Sequence, residues 1–261
     1  MARVCPLFSG SNGNSTYIKD GNSSVLVDAG ASFKQLSLAV ESVGGDISSI
    51  SGVFVTHEHG DHIKGLKVLL KKTGAPLIAS ETTLITLQNN EIIPPDTECI
   101  VASENFSVGN FGVVRFATSH DCEGSSGYKF ILPSGQKVSV CTDLGFVSNE
   151  VRSSITGSDC ILLESNHDVE MLKRGPYPAQ LKLRILSDKG HLSNNACAAE
   201  LPELLNSGTT RFILGHLSLN NNLPMLAVSA ARACLSEIGA ERDRDYILTA
   251  AKPSSNGVTA L

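Results

Sequence analysis

Six short apolar runs punctuate this chain, and each ends at once in a polar or glycine-rich segment. Ser24-Val25-Leu26-Val27 precedes Asp28-Ala29-Gly30, and Gly52-Val53-Phe54-Val55 precedes a histidine-rich stretch. Val113 to Ala117 leads to His120, Val138 to Cys141 leads to Asp143, Cys160 to Leu163 leads to Glu164, and Arg211 to Leu214 leads to His216. Runs this short and rich in β-branched residues predict buried strands. The polar residues therefore collect where strands end, on loops held by a rigid sheet.

Helical patterns lie between the runs. Phe33, Leu36, Val40 and Val43 keep a helical spacing that stops at Gly44-Gly45. Ile63 to Lys72 is expected as one helix ending at Gly74. Residues 194–206 and 224–238 are expected as two more, the second opening on Pro224 and closing at Gly239. Pro202 should kink the first of these unless that helix begins later. No repeat, low-complexity tract or linker divides the sequence, so residues 1–261 are expected to form one domain of the α/β class.

Composition narrows the class. A hydrophobic fraction of 41% supports a core and argues against disorder. No apolar run reaches the roughly 18 residues of a membrane span, so no membrane partner is expected. Residues Met1 to Leu7 lack a cationic stretch leading into a long apolar core, so no signal peptide is expected. The seven cysteines are scattered and never form C-x-x-C, which fits reduced thiols in a cytoplasmic protein. A net charge of −5 argues against an indiscriminate nucleic-acid binder. It leaves room for a nuclease with a local basic rim. Lys173, Arg174, Lys182, Arg184 and Lys189 fall within seventeen residues that hold one acid, Asp188. They are either such a rim or an ordinary solvated face.

The chemistry concentrates on histidine. Five of the seven histidines lie in three short segments: His57, His59 and His62 in Thr56-His57-Glu58-His59-Gly60-Asp61-His62, then His120, then His216. His57 and His59 alternate on an extended loop, so both imidazoles can face one ion. Asp61 and His62 can turn to a second ion as the chain enters a helix, and the two oxygens of Asp143 can bridge the pair. Two such ions about 3.5–4 Å apart can hold a hydroxide and stabilise attacking and leaving oxygens together. Imidazole and carboxylate ligands suit zinc, manganese or iron.

These segments resemble the metallo-β-lactamase superfamily, from the Asp28-Ala29-Gly30 turn to His216. The resemblance implies a four-layer αβ/βα sandwich. It also implies His57, His59, His120 and Asp143 around one ion, with Asp61, His62, Asp143 and His216 around the other. It does not fix a substrate, because one fold hosts many chemistries.

The other two histidines bear on the substrate. Gly190-His191-Leu192-Ser193-Asn194 is similar to an element of the tRNA 3′-processing branch, where a histidine protonates the leaving oxygen and an acid at the position of Glu164 supports it. The alternative is that His191 only caps the following helix. The stretch Glu164-Ser165-Asn166-His167-Asp168, Gly175-Pro176-Tyr177-Pro178 and Gly190 to Asn194, with Thr56 to Gly65 and His216-Leu217-Ser218, resembles the YycJ/WalJ group of small metallo-β-lactamase-fold proteins. That group is associated with 5′-to-3′ exonuclease action on DNA. One departure is Asn220, where the group places a glutamate; if that acid supports the ligands, metal affinity differs here.

Only about seventy residues separate Asp143 from His216, too few for the large insertion of the β-CASP branch. The wall facing the metals must then come from residues 164–194. Lys182, Arg184 and His167 are expected to grip a 5′-phosphate. The glycine-rich segment Ser9 to Ser15, with Ser11, Asn12 and Asn14, is either a second anion site or a plain turn. The leading expectation is a two-metal phosphodiesterase acting on DNA, with Asp61 or Asp143 orienting the hydroxide and His191 and Glu164 assisting departure. The competing expectation is a hydrolase of thioesters, lactones or β-lactams, which needs neither the acid histidine nor Lys182 and Arg184. A regulatory protein with a retired site has no physical reason to keep seven intact ligands.

Overall fold

In the computed structural model, which describes residues 2–254 and 257–261, the expected runs become strands of two seven-stranded sheets. The first sheet uses β1 (Arg3–Phe8), β2 (Ser15–Asp20), β3 (Ser23–Val27), β4 (Val53–Phe54), β5 (Leu77–Ala79) and β6 (Cys99–Val101). The second uses β7 (Asn105–Val108), β8 (Phe111–Ala117), β9 (Ser126–Ile131), β10 (Lys137–Cys141), β11 (Cys160–Glu164), β12 (Arg211–Gly215) and β13 (Ile247–Ala250). A last strand, β14 (Thr259–Ala260), returns to pair antiparallel with β1. Each sheet is antiparallel on one side and parallel on the other. The parallel pairs are β3 to β6 in the first sheet and β10 to β13 in the second.

Alternation within the strands explains the layers. In β3, Val25 and Val27 enter the core between the sheets while Leu26 faces outward onto helices. In β11, Cys160 and Leu162 face the other sheet, and Ile161 and Leu163 face the opposite helical layer. Both faces are covered, so these strands read as unbroken apolar runs. The outer layer over the first sheet contains α1 (Phe33–Ser42), α3 (Leu66–Thr73) and α4 (Glu81–Asn89), with the short α2 (Gly60–Ile63) beside them. The layer over the second sheet contains α5 (Asn149–Ile155), α8 (Asn194–Asn206) and α9 (Pro224–Glu237). Two more short helices, α6 (Val169–Arg174) and α7 (Ala179–Ile185), stand outside it. The result is the expected four-layer αβ/βα sandwich.

The inter-sheet core also holds the site in place. Phe54 meets Phe130 edge to face at 4.9 Å and Tyr128 at 5.2 Å. The buried Tyr128 hydroxyl donates to the Val55 carbonyl at 2.8 Å. That bond ties the second sheet to the backbone that carries His57. Truncating a core ring such as Phe54 costs about 3–5 kcal/mol.

Helix termini follow recognisable chemistry. Ser32 and Gln35 form a capping box at α1, and α9 opens on Pro224 as expected. The expected helix from Ile63 to Lys72 is instead two helices. Gly65 donates its N–H to the Ala29 carbonyl at 2.8 Å, and a Cβ there would lie 2.0 Å from the Ala31 oxygen. A backbone pressed against its neighbour cannot continue a regular helix. The helix over residues 194–206 begins where expected and runs through Pro202. All seven cysteines are unpaired. Among the described residues no helix is long and apolar enough to cross a membrane.

Candidate metal centre and cleft

Strand ends of both sheets converge on one edge of the sandwich. Asp28 follows β3, the segment His57 to His62 follows β4, and His120 follows β8. Asp143 follows β10, Glu164 ends β11 and His216 follows β12. Three of these residues adopt left-handed backbone, with φ of 62° at Asp28, 60° at Asp143 and 53° at His216. Such a conformation costs on the order of 1–3 kcal/mol in a non-glycine residue and persists only where surroundings enforce it. Here it turns each side chain sharply off its strand toward the same point.

The histidines meet nitrogen to nitrogen. His57 Nε2 lies 2.9 Å from His59 Nδ1, which lies 3.3 Å from His120 Nε2. On the other side, His62 Nε2 lies 3.3 Å from Asp143 Oδ2 and 3.6 Å from Asp61 Oδ2. His216 Nε2 lies 3.7 Å from that same Asp61 oxygen. The seven expected ligands are thus brought together. His57, His62 and Asp143 form one compact set, and Asp61, His62 and His216 form another.

Each ring is oriented from behind. The buried Asp28 carboxylate lies 2.8 Å from His62 Nδ1 and accepts from the Thr56 N–H at 2.8 Å. Thr56 Oγ1 lies 3.1 Å from His57 Nδ1. The Gly190 carbonyl lies 3.1 Å from His120 Nδ1. Glu164 Oε1 lies 2.7 Å from His216 Nδ1 and 2.8 Å from His191 Nδ1, while Oε2 accepts from the backbone of Leu144 and Leu192. These partners leave the opposite ring nitrogens facing the cluster, as ligating histidines require. Gly30 permits the packing: its Cβ would lie 1.7 Å from the Asp61 carbonyl oxygen.

The electrostatics call for a cation. Burial and the surrounding histidines push His57 well below the ordinary histidine value, so it stays neutral with a free lone pair. Burial opposes a charge on His62, yet Asp28, Asp143 and Asp61 raise it to about 9. Burial likewise opposes the Asp61 and Glu164 carboxylates, but neighbouring histidines hold both well below the usual range. Asp143 Oδ2 and His216 Nε2 are buried with no hydrogen-bond partner among the described residues. Buried polar atoms are rarely left so. The neutral His57 lone pair, the gathered carboxylates and the orphaned buried atoms all fit divalent ions bound between them.

A cleft of about 410 Å³ opens over this cluster. His59, Asp61, His120, Asp143 and His216 form its floor, and His191, Tyr177, Leu181, Arg184 and Ile185 contribute to its wall. Arg184 holds Asp121, with Nε 2.6 Å from the carboxylate. Ser11 lines the cleft, whereas the exposed Asn12 does not. Asn14 is buried, with Nδ2 3.1 Å from Asp61 Oδ2 and 3.0 Å from His62 Nε2. It therefore positions Asp61 and His62 and does not meet an anion from solvent.

Two expected phosphate contacts are corrected. His167 is 1% exposed, its ring nitrogens lack partners among the described residues, and burial drives its pKa down to about 4. A neutral ring closed off from solvent cannot grip a phosphate. Its backbone matters instead, pairing with Ser193 and accepting from Asn194 to hold the loop of His191. Lys182 sends Nζ to the Lys173 carbonyl at 2.7 Å and does not line the cleft. Asn220 is exposed and donates to the Tyr177 hydroxyl at 2.9 Å.

Several contributors escaped sequence reasoning. Asp121 Oδ1 lies 3.3 Å from His120 Nε2, and Cys122 Sγ lies 3.2 Å from His59 Nε2. The tripeptide His120-Asp121-Cys122 was the available signal. Asn194 and Asn222 exchange amide hydrogen bonds of 2.8 and 2.9 Å, joining the loop after His216 to the start of α8. Nothing in a pair separated by twenty-eight residues announces that contact.

Comparison with known proteins agrees with this geometry. Residues 23–217 match the family described as the Beta-lactamase superfamily domain. The chain is 40% identical over 240 residues to exodeoxyribonuclease YycJ of Bacillus anthracis, covering 89% of each. It is 36% identical to exodeoxyribonuclease WalJ of Streptococcus pneumoniae over 85% of this chain and 83% of that one. The crystal structure of zinc-bound PqqB from Methylobacterium extorquens superposes with a TM-score of 0.71, covering 100% of both chains at 17% identity, a likeness of fold. The chain therefore belongs to the metallo-β-lactamase superfamily and, within it, to the YycJ/WalJ group of metal-dependent hydrolases.

Proposed function

We propose that the protein is a metal-dependent phosphodiesterase that degrades DNA from its 5′ end, a 5′-to-3′ exonuclease. One observation carries the reading most strongly. His191 stands in the cleft wall with Nδ1 fixed 2.8 Å from Glu164, which leaves Nε2 for a leaving oxygen. A thioester, whose thiolate departs without a proton, has no use for a carboxylate-anchored acid there. The exodeoxyribonuclease names of the two curated relatives support the same reading.

His57, His59, His120 and Asp143 would hold one divalent ion, and Asp61, His62, Asp143 and His216 a second, with zinc, manganese or iron suited to such ligands. When bound, the ions supply a water that ionises near neutral pH and positive charge beside the phosphate. The chain supplies the rest. Asp61, held ionised by His216 and His62, accepts a hydrogen bond from the attacking water and aims it. His191 gives its proton to the departing 3′ oxygen, a step worth typically about 10²–10⁴ in rate. Glu164, 2.8 Å from His191 Nδ1, keeps that imidazole in line. Arg184 lets go of Asp121 in part and takes the 5′-terminal phosphate. The whole chain acts as one catalytic domain, and the cytoplasm suits its unpaired thiols.

The test is degradation of an end-labelled duplex carrying either a 5′-phosphate or a 5′-hydroxyl, with added manganese or zinc and His59→Ala as control. Stepwise loss from the 5′ end, absent in the variant, is expected. Failure to cleave DNA under either metal sinks the proposal.

A further inference from the structure

The segment Gly175-Pro176-Tyr177-Pro178 joins α6 to α7, and the reaction just described leaves it without a task. Tyr177 lines the cleft, and among the described residues it is the only aromatic side chain other than histidine to do so. Its hydroxyl accepts a 2.9 Å hydrogen bond from Asn220 Nδ2. Prolines on both sides restrict its backbone. Its ring is therefore held before any ligand arrives, which lowers the entropy lost on binding. Leu181, Arg184 and Ile185 of α7 line the cleft with it, and the lining continues through Gly190 to His191.

We propose that this wall seats the 5′-terminal nucleotide of the DNA, with its base stacked on Tyr177. The inference rests on the exonuclease reading. In that reaction the water oxygen bonds to the phosphorus linking the first and second nucleotides, and its proton passes by way of Asp61 to solvent. The bond from phosphorus to the 3′ oxygen of the first nucleotide breaks, and that oxygen takes the proton of His191. The first nucleotide departs as a 5′-mononucleotide, and the shortened strand keeps a 5′-phosphate. The terminal nucleotide is thus the leaving group and lies on the side of His191. The wall that carries His191 also carries a cation for the terminal phosphate, Arg184, and a flat apolar surface for the base, Tyr177. Every base has a π face, so stacking tolerates sequence. That suits an enzyme that removes nucleotides in succession whatever their order.

The experiment compares wild type, Tyr177→Ala and Tyr177→Phe on 5′-phosphorylated duplexes whose first nucleotide is intact or abasic. Wild type is expected to lose about tenfold in kcat/KM when the first base is absent. Tyr177→Ala is expected to lose the same on intact DNA and nothing further on the abasic duplex, while Tyr177→Phe keeps the preference. Binding of the metal-free protein to DNA with 2-aminopurine as its first base gives a readout independent of turnover. Fluorescence quenching in wild type and Tyr177→Phe, lost in Tyr177→Ala, is expected. An abasic penalty of equal size in wild type and Tyr177→Ala would overturn the assignment, as would unchanged quenching in Tyr177→Ala. A wild-type protein that releases no nucleotide from any DNA end overturns the exonuclease reading itself, and this inference with it.

Discussion

Glu164 and His216 meet at 2.7 Å, through the same carboxylate oxygen that anchors His191 at 2.8 Å. One fully buried side chain therefore orients a proposed metal ligand and the proposed acid together. Glu164→Gln presents an amide where two backbone N–H groups, from Leu144 and Leu192, need acceptors. It also withdraws the carboxylate charge held against two imidazoles. Metal affinity is expected to fall about 10–100-fold, and turnover further still because His191 loses its support. Metal analysis after dialysis against a weak chelator, read beside single-turnover rates, checks both effects. Full metal content with normal turnover in Glu164→Gln would show that the carboxylate does neither job.

His191 itself separates acid catalysis from ligation. His191→Ala is expected to keep its metal and lose about 10²–10⁴ in kcat on DNA. The loss should shrink on a phosphodiester with a p-nitrophenolate leaving group, which departs without a proton. An equal loss on both substrates would remove the acid role, and loss of metal would make His191 a ligand or its support.

Asp28 offers a test of the second layer. It sits in left-handed backbone, 2.8 Å from His62 Nδ1, and takes the Thr56 N–H at 2.8 Å. Asn tolerates that backbone and keeps an acceptor oxygen. Asp28→Asn should therefore fold while binding metal about 10–100-fold more weakly. Asp28→Ala strands the buried Thr56 N–H as well and is expected to lose a further 1–3 kcal/mol or so of stability. Urea melts of the metal-free proteins isolate that second term, since no bound ion then contributes to either curve.

Metal removal should itself be visible in stability. Ions that bind only the folded chain stabilise it by about 4 kcal/mol at a thousandfold excess over Kd. Chelation is expected to lower the melting temperature and abolish cleavage, and added zinc or manganese to restore both. Calorimetric titration is expected to find two ions per chain. A stoichiometry of one would assign all turnover to a single ion.

Most of this site was legible because its residues are local to strand ends. Thr56 to His62, His120, Asp143 and His216 each follow an apolar run, and a sheet with both faces covered leaves such runs little freedom of direction. The support of His191 by Glu164 was legible only through family resemblance, and the bond from Glu164 to His216 was not legible at all. Those partners are separated by 27 and 52 residues, and only the parallel pairing of β11 with β12 brings the second pair side by side. Burial of His167 escaped for a related reason. Its neighbours in sequence are polar, while the strand pairing that seals it comes from Ser193. The split at Gly65 depended on a close approach to Ala31 that helical periodicity does not register.

The basic stretch shows how side-chain direction decides function after sequence has supplied charge. Arg184 lines the cleft and reaches Asp121, whereas Lys182 turns to the Lys173 carbonyl. A terminal phosphate can compete with Asp121 for Arg184 through a bidentate contact. Nothing comparable brings Lys182 to the cleft. Arg184→Ala is therefore expected to erase most of the preference for 5′-phosphate over 5′-hydroxyl ends, a loss of roughly tenfold or more for one charge-assisted pair. Lys182→Ala should leave that ratio within about twofold, since it removes only an exposed contact. Measuring the ratio of kcat/KM for the two ends in each variant decides between them. An unchanged ratio in Arg184→Ala, or a collapsed one in Lys182→Ala, would move the phosphate contact to another part of the wall.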